Sequence, residues 1–231
     1  MQITVIGASG LIGTKVVALL TAEGHGVVAA SRASGVDVLT GDGLAEALSG
    51  ADALVDVVNS PSFEDDPVME FFTKSATNLV DAAKRAGVGH YVCLSIVGID
   101  DLPDSGYMRA KVVQEKVITD SGIPYTIVRA TQFAEFTDGI TASMTVGDQV
   151  RVPDALIQPV AADKVAAEVA RAAITAPLGG VVNIGGPEKI SFERMARAVL
   201  AERGEEKTVV VDPQAHYFGT RLAERSLVTP D

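Results

Sequence analysis

A glycine-rich turn near the N-terminus constrains the fold of this chain more than any other feature. The apolar run Ile3-Thr4-Val5-Ile6 leads directly into Gly7-Ala8-Ser9-Gly10-Leu11-Ile12-Gly13, and apolar residues at helical spacing follow. This order predicts a buried strand, a tight turn and a helix that packs back on the strand. Glycines permit the turn and let the backbone approach a pyrophosphate, which the N–H groups of the helix N-terminus would bind. The alternative is a turn with a purely structural role.

Length and composition favour one domain without a membrane span. A chain of 231 residues suits a single doubly wound α/β domain, 1–231, in which residues 134–231 would add a small substrate-binding elaboration. Hydrophobic residues make up 47%, but no run approaches the roughly 18 apolar residues of a membrane helix. No basic leader precedes the first strand, so we expect a cytoplasmic protein that does not bind membranes.

The net charge, the single cysteine and the histidine spacing argue against binding to nucleic acid or anionic membranes, a cysteine nucleophile and a metal site. The net charge of -11 argues against general binding to nucleic acid or anionic membranes, because neutralising phosphates requires clustered Lys and Arg. The single cysteine, Cys93, lies in an apolar run and is expected to be a buried thiol rather than a nucleophile. His25, His90 and His216 have no paired spacing with carboxylates or thiols, so we expect no metal site.

The end of the second predicted strand bears on the choice of cofactor. Residues 27–30 form that strand, and Ser31 and Arg32 follow it. An acidic residue here would bind the ribose 2′-hydroxyl of NAD, whereas an arginine can pair with the 2′-phosphate of NADP. Arg32 stands in this position with Ser31 and Ser34 as further donors and no acid beside it, which predicts a preference for NADPH over NADH. The alternative is a solvated arginine at a strand end.

Hydrophobic periodicity predicts most of the remaining elements. Strands are expected at 36–40, 53–58 and 91–98, a long helix at 67–87, and a sixth strand with its following loop at 124–133. The loop Asn59-Ser60-Pro61 would pass over the cofactor.

Three residues in the middle of the chain could carry proton chemistry. Tyr107 and Lys111 are four residues apart at the start of a predicted helix, so both lie on one face. An ammonium there could stabilise a phenolate and bring the phenol pKa nearer to neutral, which would suit a proton donor. Ser95, at the end of a neighbouring strand, could hydrogen-bond the same substrate oxygen. Taken singly, each residue also has an ordinary structural explanation.

These motifs together resemble the extended and atypical short-chain dehydrogenase/reductases, including the NmrA-like group. The resemblance lies in the G-x-x-G-x-x-G spacing, in Ser95 followed by Tyr-x-x-x-Lys, and in residues 127–133. It implies a Rossmann-type fold with a mainly parallel sheet, and a cofactor across the carboxyl ends of the strands. It also implies roles for particular residues: Lys111 at the ribose, Asp42 at the adenine, and Thr131, Gln132 and Phe133 near the nicotinamide and substrate.

Some of these residues have alternatives. Asp42 could instead cap the helix predicted at 44–48, and Phe133 and Phe136 could be core aromatics. The resemblance implies NADPH-dependent reduction of a small carbonyl or quinone-like substrate, with Tyr107 as proton donor, by a monomer or homodimer. Two other functions stay open: an NADP-binding redox sensor of NmrA type, and a nucleotide-sugar epimerase or dehydratase.

The C-terminal third is less regular. Asp163 is a candidate N-cap for a helix at 164–173, and Ser191 for a helix at 192–203, with a strand expected at 207–211. Residues 135–152 are expected to shape the substrate pocket. Residues 214–231 lack periodicity and suggest a short or mobile tail, from which His216 could approach the pocket.

Overall fold

Six parallel strands form the centre of the computed structural model, which describes residues 1–230. Their order across the sheet is β2-β1-β3-β4-β5-β9. The second strand is therefore added on one side of the first, and the later strands are added on the other side. This is the doubly wound α/β arrangement predicted above, and it opens a crevice at the carboxyl ends of the strands. The strands are β1 (Gln2–Ile6), β2 (Gly26–Ala30), β3 (Ala53–Asp56), β4 (His90–Ile96), β5 (Tyr125–Ala130) and β9 (Gly180–Ile184).

Helices cover both faces of the sheet. The α1 and α6 helices pack on one face, while α2, α3 and α4 pack on the other, and each side encloses a separate buried apolar cluster. Both faces of the central strands are therefore buried, which explains their nearly continuous apolar sequences. The helices are α1 (Leu11–Ala22), α2 (Leu44–Ala47), α3 (Asp65–Ala86), α4 (Gly106–Thr119) and α6 (Ala162–Ile174).

The α3 helix shows how local sequence determines an element. Asp65 and Asp66 lie in its first turn and Lys84 and Arg85 in its last, which complements the helix dipole. Gly87 follows in the left-handed region, with φ 70°, and ends the helix. Apolar residues three and four apart bury one face against the sheet, as the sequence predicts; they include Val68, Phe72, Ala76, Leu79 and Ala83.

The strand predicted at 36–40 does not form. Val36 and Val38 are buried as expected, but the segment folds as a turn. The Asp37 side chain accepts a hydrogen bond from the Leu39 N–H at 2.7 Å, and the Gly41 N–H donates to the Asp37 carbonyl at 2.9 Å. These local bonds satisfy backbone groups that a strand would pair with a neighbour, so the prediction of a strand here is wrong.

The remaining elements build a third apolar cluster beside the sheet. Ser191 caps α7 as predicted, accepting a hydrogen bond from the Arg194 N–H at 3.1 Å. The elements are α5 (Thr137–Ser143), β6 (Thr145–Val146), β7 (Gln149–Val152), β8 (Leu156–Ile157), β10 (Ile190–Ser191), α7 (Phe192–Arg203) and β11 (Thr208–Val211). Strand β7 pairs with β6 and β11, and β8 with β10.

Two expectations about the C-terminal third are wrong. Ala161, not Asp163, is the N-cap of α6; Asp163 lies inside the first turn and pairs with Lys15 at 2.5 Å. The segment after β11 is packed rather than loose, since Leu227 is fully buried and a Cβ on Gly98 would lie 1.8 Å from the Ser226 carbonyl oxygen. None of the helices in residues 1–230 is both long enough and apolar enough to cross a membrane.

Candidate functional site

A cleft of about 1000 Å³ lies at the carboxyl ends of β1 to β5. Its walls come from the loops that follow these strands, together with α4, α5 and the segment after β11. Because parallel strands end at the same edge of the sheet, the fold brings together residues that are far apart in sequence. Of the site residues predicted from sequence, these line the cleft: Gly7, Ser9, Gly10, Leu11, Ser31, Arg32, Asn59, Ser95, Tyr107, Lys111, Thr131, Gln132 and Phe133.

The three glycines of the N-terminal turn have different physical roles. Gly7 has φ 89°, and a Cβ there would lie 2.9 Å from the Val57 backbone. A Cβ on Gly13 would lie 2.1 Å from the Gly7 carbonyl oxygen, so both positions are glycine because of the fold itself. A Cβ on Gly10 would meet only the Gly7 carbonyl oxygen, at 3.3 Å. The space beside Gly10 could therefore hold the pyrophosphate of a bound dinucleotide.

Two predicted cofactor residues lie outside the cleft lining. The Ile12 side chain is buried in the core beneath α1. Asp42 accepts a hydrogen bond from the Thr40 hydroxyl at 2.8 Å. The N-cap of α2 is Gly43, which has φ 71°, so the capping role considered for Asp42 is wrong.

Arg32 has an acidic neighbour that the sequence did not reveal. Its side chain is 63% exposed, and its Nε lies 3.7 Å from Oδ2 of Asp37. The turn at 36–40 brings this carboxylate back toward the strand end. The expectation that no acid stands beside Arg32 is therefore wrong, and the carboxylate would compete with a phosphate for the guanidinium.

Tyr107 is held from two sides. Its hydroxyl donates to Oδ1 of Asn59 at 2.8 Å, and its ring meets the edge of Phe72 with centroids 5.8 Å apart. Burial raises the pKa of Tyr107 to about 12, although the hydrogen bond to Asn59 acts in the opposite direction. The expected fall of this pKa under the influence of Lys111 is not found, because desolvation dominates and the ammonium is hydrogen-bonded elsewhere.

Lys111 belongs to a buried polar network beneath the cleft. Its Nζ donates to the Leu94 carbonyl at 2.9 Å and to Oε1 of Gln114, and it lies 4.7 Å from the centroid of the Phe72 ring. Only 3% of Lys111 is exposed. These acceptors and the aromatic ring stabilise the ammonium charge, which burial has removed from water.

The network continues to a buried acid. Gln114 Nε2 donates to Oδ2 of Asp56 at 2.8 Å, and the Tyr91 hydroxyl donates to the same oxygen at 2.9 Å. Desolvation raises the pKa of Asp56, and the nearby Lys111 charge and these hydrogen bonds oppose the rise. Asp56 and Gln114 were not predicted from the sequence. An acid at the end of an otherwise apolar strand, and a glutamine three residues after the lysine, were the available signals.

Two buried polar atoms at the cleft have no hydrogen-bond partner within residues 1–230. They are Oγ of Ser95, which is 3% exposed, and Oε1 of Gln132. Buried polar atoms are nearly always satisfied, so an unpaired one beside a cleft calls for an explanation. Both residues line the cleft, so a bound molecule is a candidate partner for these atoms.

The loop after β5 combines structural contacts with access to the cleft. The Thr131 hydroxyl donates to the Gln158 carbonyl, and Phe133 packs against Phe136 with ring centroids 5.5 Å apart. Phe133 also contacts the core around α6, while Phe136 is largely exposed. The core and binding interpretations of Phe133 are therefore compatible.

The C-terminal segment contributes aromatic residues to the site that were not predicted from the sequence. Tyr217 and Phe218 line the cleft, whereas their neighbour His216 does not. Across residues 1–230, no group of three or more His, Cys, Asp or Glu side chains is placed to hold a metal ion.

Comparison with known proteins is consistent with this geometry. The family described as NAD(P)H-binding matches residues 7–176. A reductase of Streptomyces griseus subsp. griseus, the (4-alkanoyl-5-oxo-2,5-dihydrofuran-3-yl)methyl phosphate reductase, is 30% identical over 208 residues, covering 82% of this chain and 70% of that protein.

Two further similarities are more limited: one is to a relative matched over part of its length, and the other is to a solved structure with a similar fold. The photosystem II assembly factor Ycf39 of Cyanophora paradoxa is 29% identical over 147 residues, covering 58% of this chain and 46% of its own length. The structure of the Citrobacter sp. triphenylmethane reductase with NADP(H) superposes with a TM-score of 0.72 at 18% identity, covering 92% of this chain and 79% of that one. The chain thus belongs to the NAD(P)H-binding family.

Proposed function

We propose that this protein is an NADPH-dependent reductase of small carbonyl or quinone-like compounds. One observation carries the proposal: Tyr107 lines the same cleft as the glycine turn, and so does Ser95, whose buried Oγ has no partner within residues 1–230. The cofactor supplies hydride when bound. The chain must then orient the substrate oxygen and deliver a proton to it.

Tyr107 is suited to hold that proton. With a pKa of about 12 the phenol stays protonated at neutral pH, yet it remains a stronger acid than the alcohol that forms from a ketone or aldehyde. A quinone gives a hydroquinone, which is itself a phenol and depends less on this proton donor. Ser95 Oγ would donate to the same oxygen and orient it. The Lys111 ammonium, one helical turn away, has no effect on the Tyr107 pKa in this structure, and we propose that it acts at the cofactor ribose instead. The Gln114 and Leu94 acceptors fix the position of that ammonium.

We propose that the end of the cleft beside the glycine turn and β2 binds NADPH. Gly10 leaves room for the pyrophosphate at the N-terminus of α1, and Ser31 and Arg32 stand at the end of β2, where a 2′-phosphate would lie. We propose that Arg32 still favours NADPH over NADH despite Asp37, because an arginine–phosphate pair is charge-assisted and often bidentate. Asn59, Thr131 and Phe133 complete the proposed cofactor contacts. Residues 134–231 would supply the substrate end, and the protein would act in the cytoplasm as a monomer or homodimer.

A protein that binds the cofactor without turnover is the second candidate. The similarity to Ycf39, which is an assembly factor, favours it. The Ser95, Tyr107 and Lys111 set favours the reductase, because a cofactor-binding protein has no need of a proton donor at the cleft. Epimerase or dehydratase chemistry would use similar residues.

A substrate screen separates these functions. Cofactor-depleted protein is mixed with NADPH and a panel of ketones, aldehydes, quinones and nucleotide sugars, and NADPH oxidation is recorded. We expect oxidation with a carbonyl or quinone, and slower oxidation by Lys111→Met. Tight NADPH binding with no oxidation across the panel would favour the non-catalytic protein instead.

A further inference from the structure

Aromatic rings form a wall of the cleft next to Tyr107. The ring centroids of Phe63 and Tyr107 lie 5.2 Å apart, and those of Phe63 and Phe218 lie 5.9 Å apart. All three residues line the cleft, yet Phe63 and Phe218 are 54% and 48% exposed. A single exposed phenylalanine is unremarkable, but adjoining exposed rings in a concave site are typical of ligand-binding surfaces.

Phe218 has a backbone conformation that disfavours phenylalanine. The Tyr217 N–H donates to the Thr220 carbonyl at 2.7 Å and the Thr220 N–H donates back to the Tyr217 carbonyl at 3.1 Å, which closes a two-residue hairpin turn. The two central residues have positive φ, 45° at Phe218 and 82° at Gly219, as in a type I′ turn. Asparagine suits the first of these positions, while a bulky side chain is strained there. Within residues 1–230, Phe218 is the one residue other than glycine with positive φ.

The strained residue also faces the cleft. Its ring meets Tyr217 edge-on, with centroids 4.7 Å apart, so its direction is defined by packing. Backbone strain persists where the surrounding structure enforces it, and such residues concentrate at ligand sites. The turn would fold with less strain if asparagine replaced Phe218, which points to a role for the ring in binding rather than in folding.

The charge of the lining indicates what kind of molecule fits. Within the described chain, the charged residues that line the cleft are Arg32, Lys111 and Glu135. Arg32 follows β2 at the proposed cofactor end, and Lys111 is committed to its buried acceptors. The remaining charge in the lining is the carboxylate of Glu135, which accepts from the Ala162 N–H at 2.9 Å, so the described lining residues leave no uncommitted cation for an anionic substrate. A carboxylate disfavours a phosphate or sulfonate nearby.

We propose that Phe63 and Phe218 form an aromatic platform that stacks a flat, uncharged aromatic substrate, such as a quinone, beside Tyr107. The proposal rests on the reductase function above, since Tyr107 marks the reacting end. Rings stack in offset or edge-on arrangements with centroids about 4.5–7 Å apart, and the exposure of Phe63 and Phe218 leaves room for such a contact.

Binding without turnover tests the platform independently of catalysis. Protein saturated with NADP⁺, which has no hydride to transfer, is titrated with 1,4-naphthoquinone or with 1,4-naphthoquinone-2-sulfonate. Both ligands are flat, but the second is an anion. We expect the neutral quinone to bind about tenfold more tightly than the sulfonate. Phe218→Asn and Phe63→Ser should each weaken quinone binding about three- to tenfold, the loss of one ring contact.

Two controls separate binding from folding. Leu178→Asn removes an exposed apolar side chain, 58% exposed, that does not line the cleft, and quinone affinity should not change. Phe218→Leu loses the ring but keeps the strain, so its Tm should lie about 2–4 °C below that of Phe218→Asn, while both bind quinone weakly.

The outcomes distinguish the two proposals. Quinone affinity unchanged in Phe218→Asn, or equal affinity for the sulfonate, would overturn the platform, even if wild-type protein reduces other carbonyls. Quinone binding that depends on Phe218, in a protein that never oxidises NADPH, would support the platform and overturn the reductase.

Discussion

The hydroxyl of Tyr107 donates a hydrogen bond to Oδ1 of Asn59 across 2.8 Å and so ties α4 to the loop after β3. Asn59 Oδ1 also accepts from the Ser60 N–H at 2.9 Å, so the asparagine keeps a partner if the phenol is removed. The contact therefore positions the phenol without the fold depending on it.

Removing only the phenolic oxygen tests the proton donor. In Tyr107→Phe the ring packing against Phe72 persists, so Tm and NADPH affinity should stay close to wild type. Turnover should fall by roughly 10²–10⁴-fold, the effect of losing a positioned acid. Steady-state kinetics on the best substrate of the screen provides the measurement. Wild-type turnover in this variant would show that the proton comes from water or another group.

Ser95→Ala should separate activity from stability. Since Oγ of Ser95 has no partner in residues 1–230, its loss leaves no protein group unpaired, and the free energy of unfolding should change by less than about 1 kcal/mol. The same loss should lower kcat roughly 10²–10³-fold if the hydroxyl donates to the developing oxyanion. Denaturant titration and kinetics on one preparation measure both. Lower stability with full activity would assign Ser95 a structural role.

Gly10→Val should abolish cofactor binding and leave the fold intact. A Cβ at Gly10 approaches only the Gly7 carbonyl oxygen, at 3.3 Å, but a branched side chain would fill the space that we assign to the pyrophosphate. Calorimetric titration with NADPH measures the loss. Gly180→Val is a matched control, because its Cβ lies in ordinary contact with Leu178, 3.8 Å away, and Gly180 does not line the cleft. Normal NADPH binding by a folded Gly10→Val protein would place the cofactor elsewhere.

The Arg32–Asp37 pair should tune cofactor preference. Arg32→Ala should weaken NADPH binding more than NADH binding, since it removes the proposed partner of the 2′-phosphate. Asp37→Asn should do the opposite. It removes a competing charge 3.7 Å from the guanidinium, while an amide oxygen can still accept from the Leu39 N–H. Dissociation constants for both cofactors across the three proteins provide the test. Equal affinity for NADPH and NADH in wild type would contradict the assignment.

Asp56 should make stability depend on pH in a defined direction. Desolvation raises the pKa of Asp56 in the folded protein. At a pH between the pKa of Asp56 in the unfolded chain and this raised pKa, the native state keeps a proton that the unfolded state has lost. The free energy of unfolding therefore falls as pH rises through this window, by up to about 1.4 kcal/mol per pH unit. Asp56→Asn removes this contribution, so the difference in unfolding free energy between wild type and variant should fall as pH rises. A difference that rises with pH would reverse the assigned sign.

Local sequence determined the fold class and the outline of the site. Strand, turn and helix at 1–22 are adjacent in sequence, and their pattern depends on the spacing of apolar residues and on glycine conformations. The same holds for the buried β4 strand and for α3. Since strands of a parallel sheet end at one edge, the predicted parallel sheet was enough to group Ser95 and Tyr107 with the glycine turn.

Tertiary structure decided which partner each side chain has. Asp56 meets Gln114 across 58 residues, and Phe218 reaches Phe63 from the C-terminal segment. Lys111 was expected to lower the pKa of Tyr107, but in the folded protein its ammonium donates hydrogen bonds to the Leu94 carbonyl and to Gln114 instead. Sequence spacing shows which face of an element a residue occupies. The partner it bonds, and the pKa that results, depend on distances of a few ångströms and on exclusion of water, which arise only when distant segments pack together.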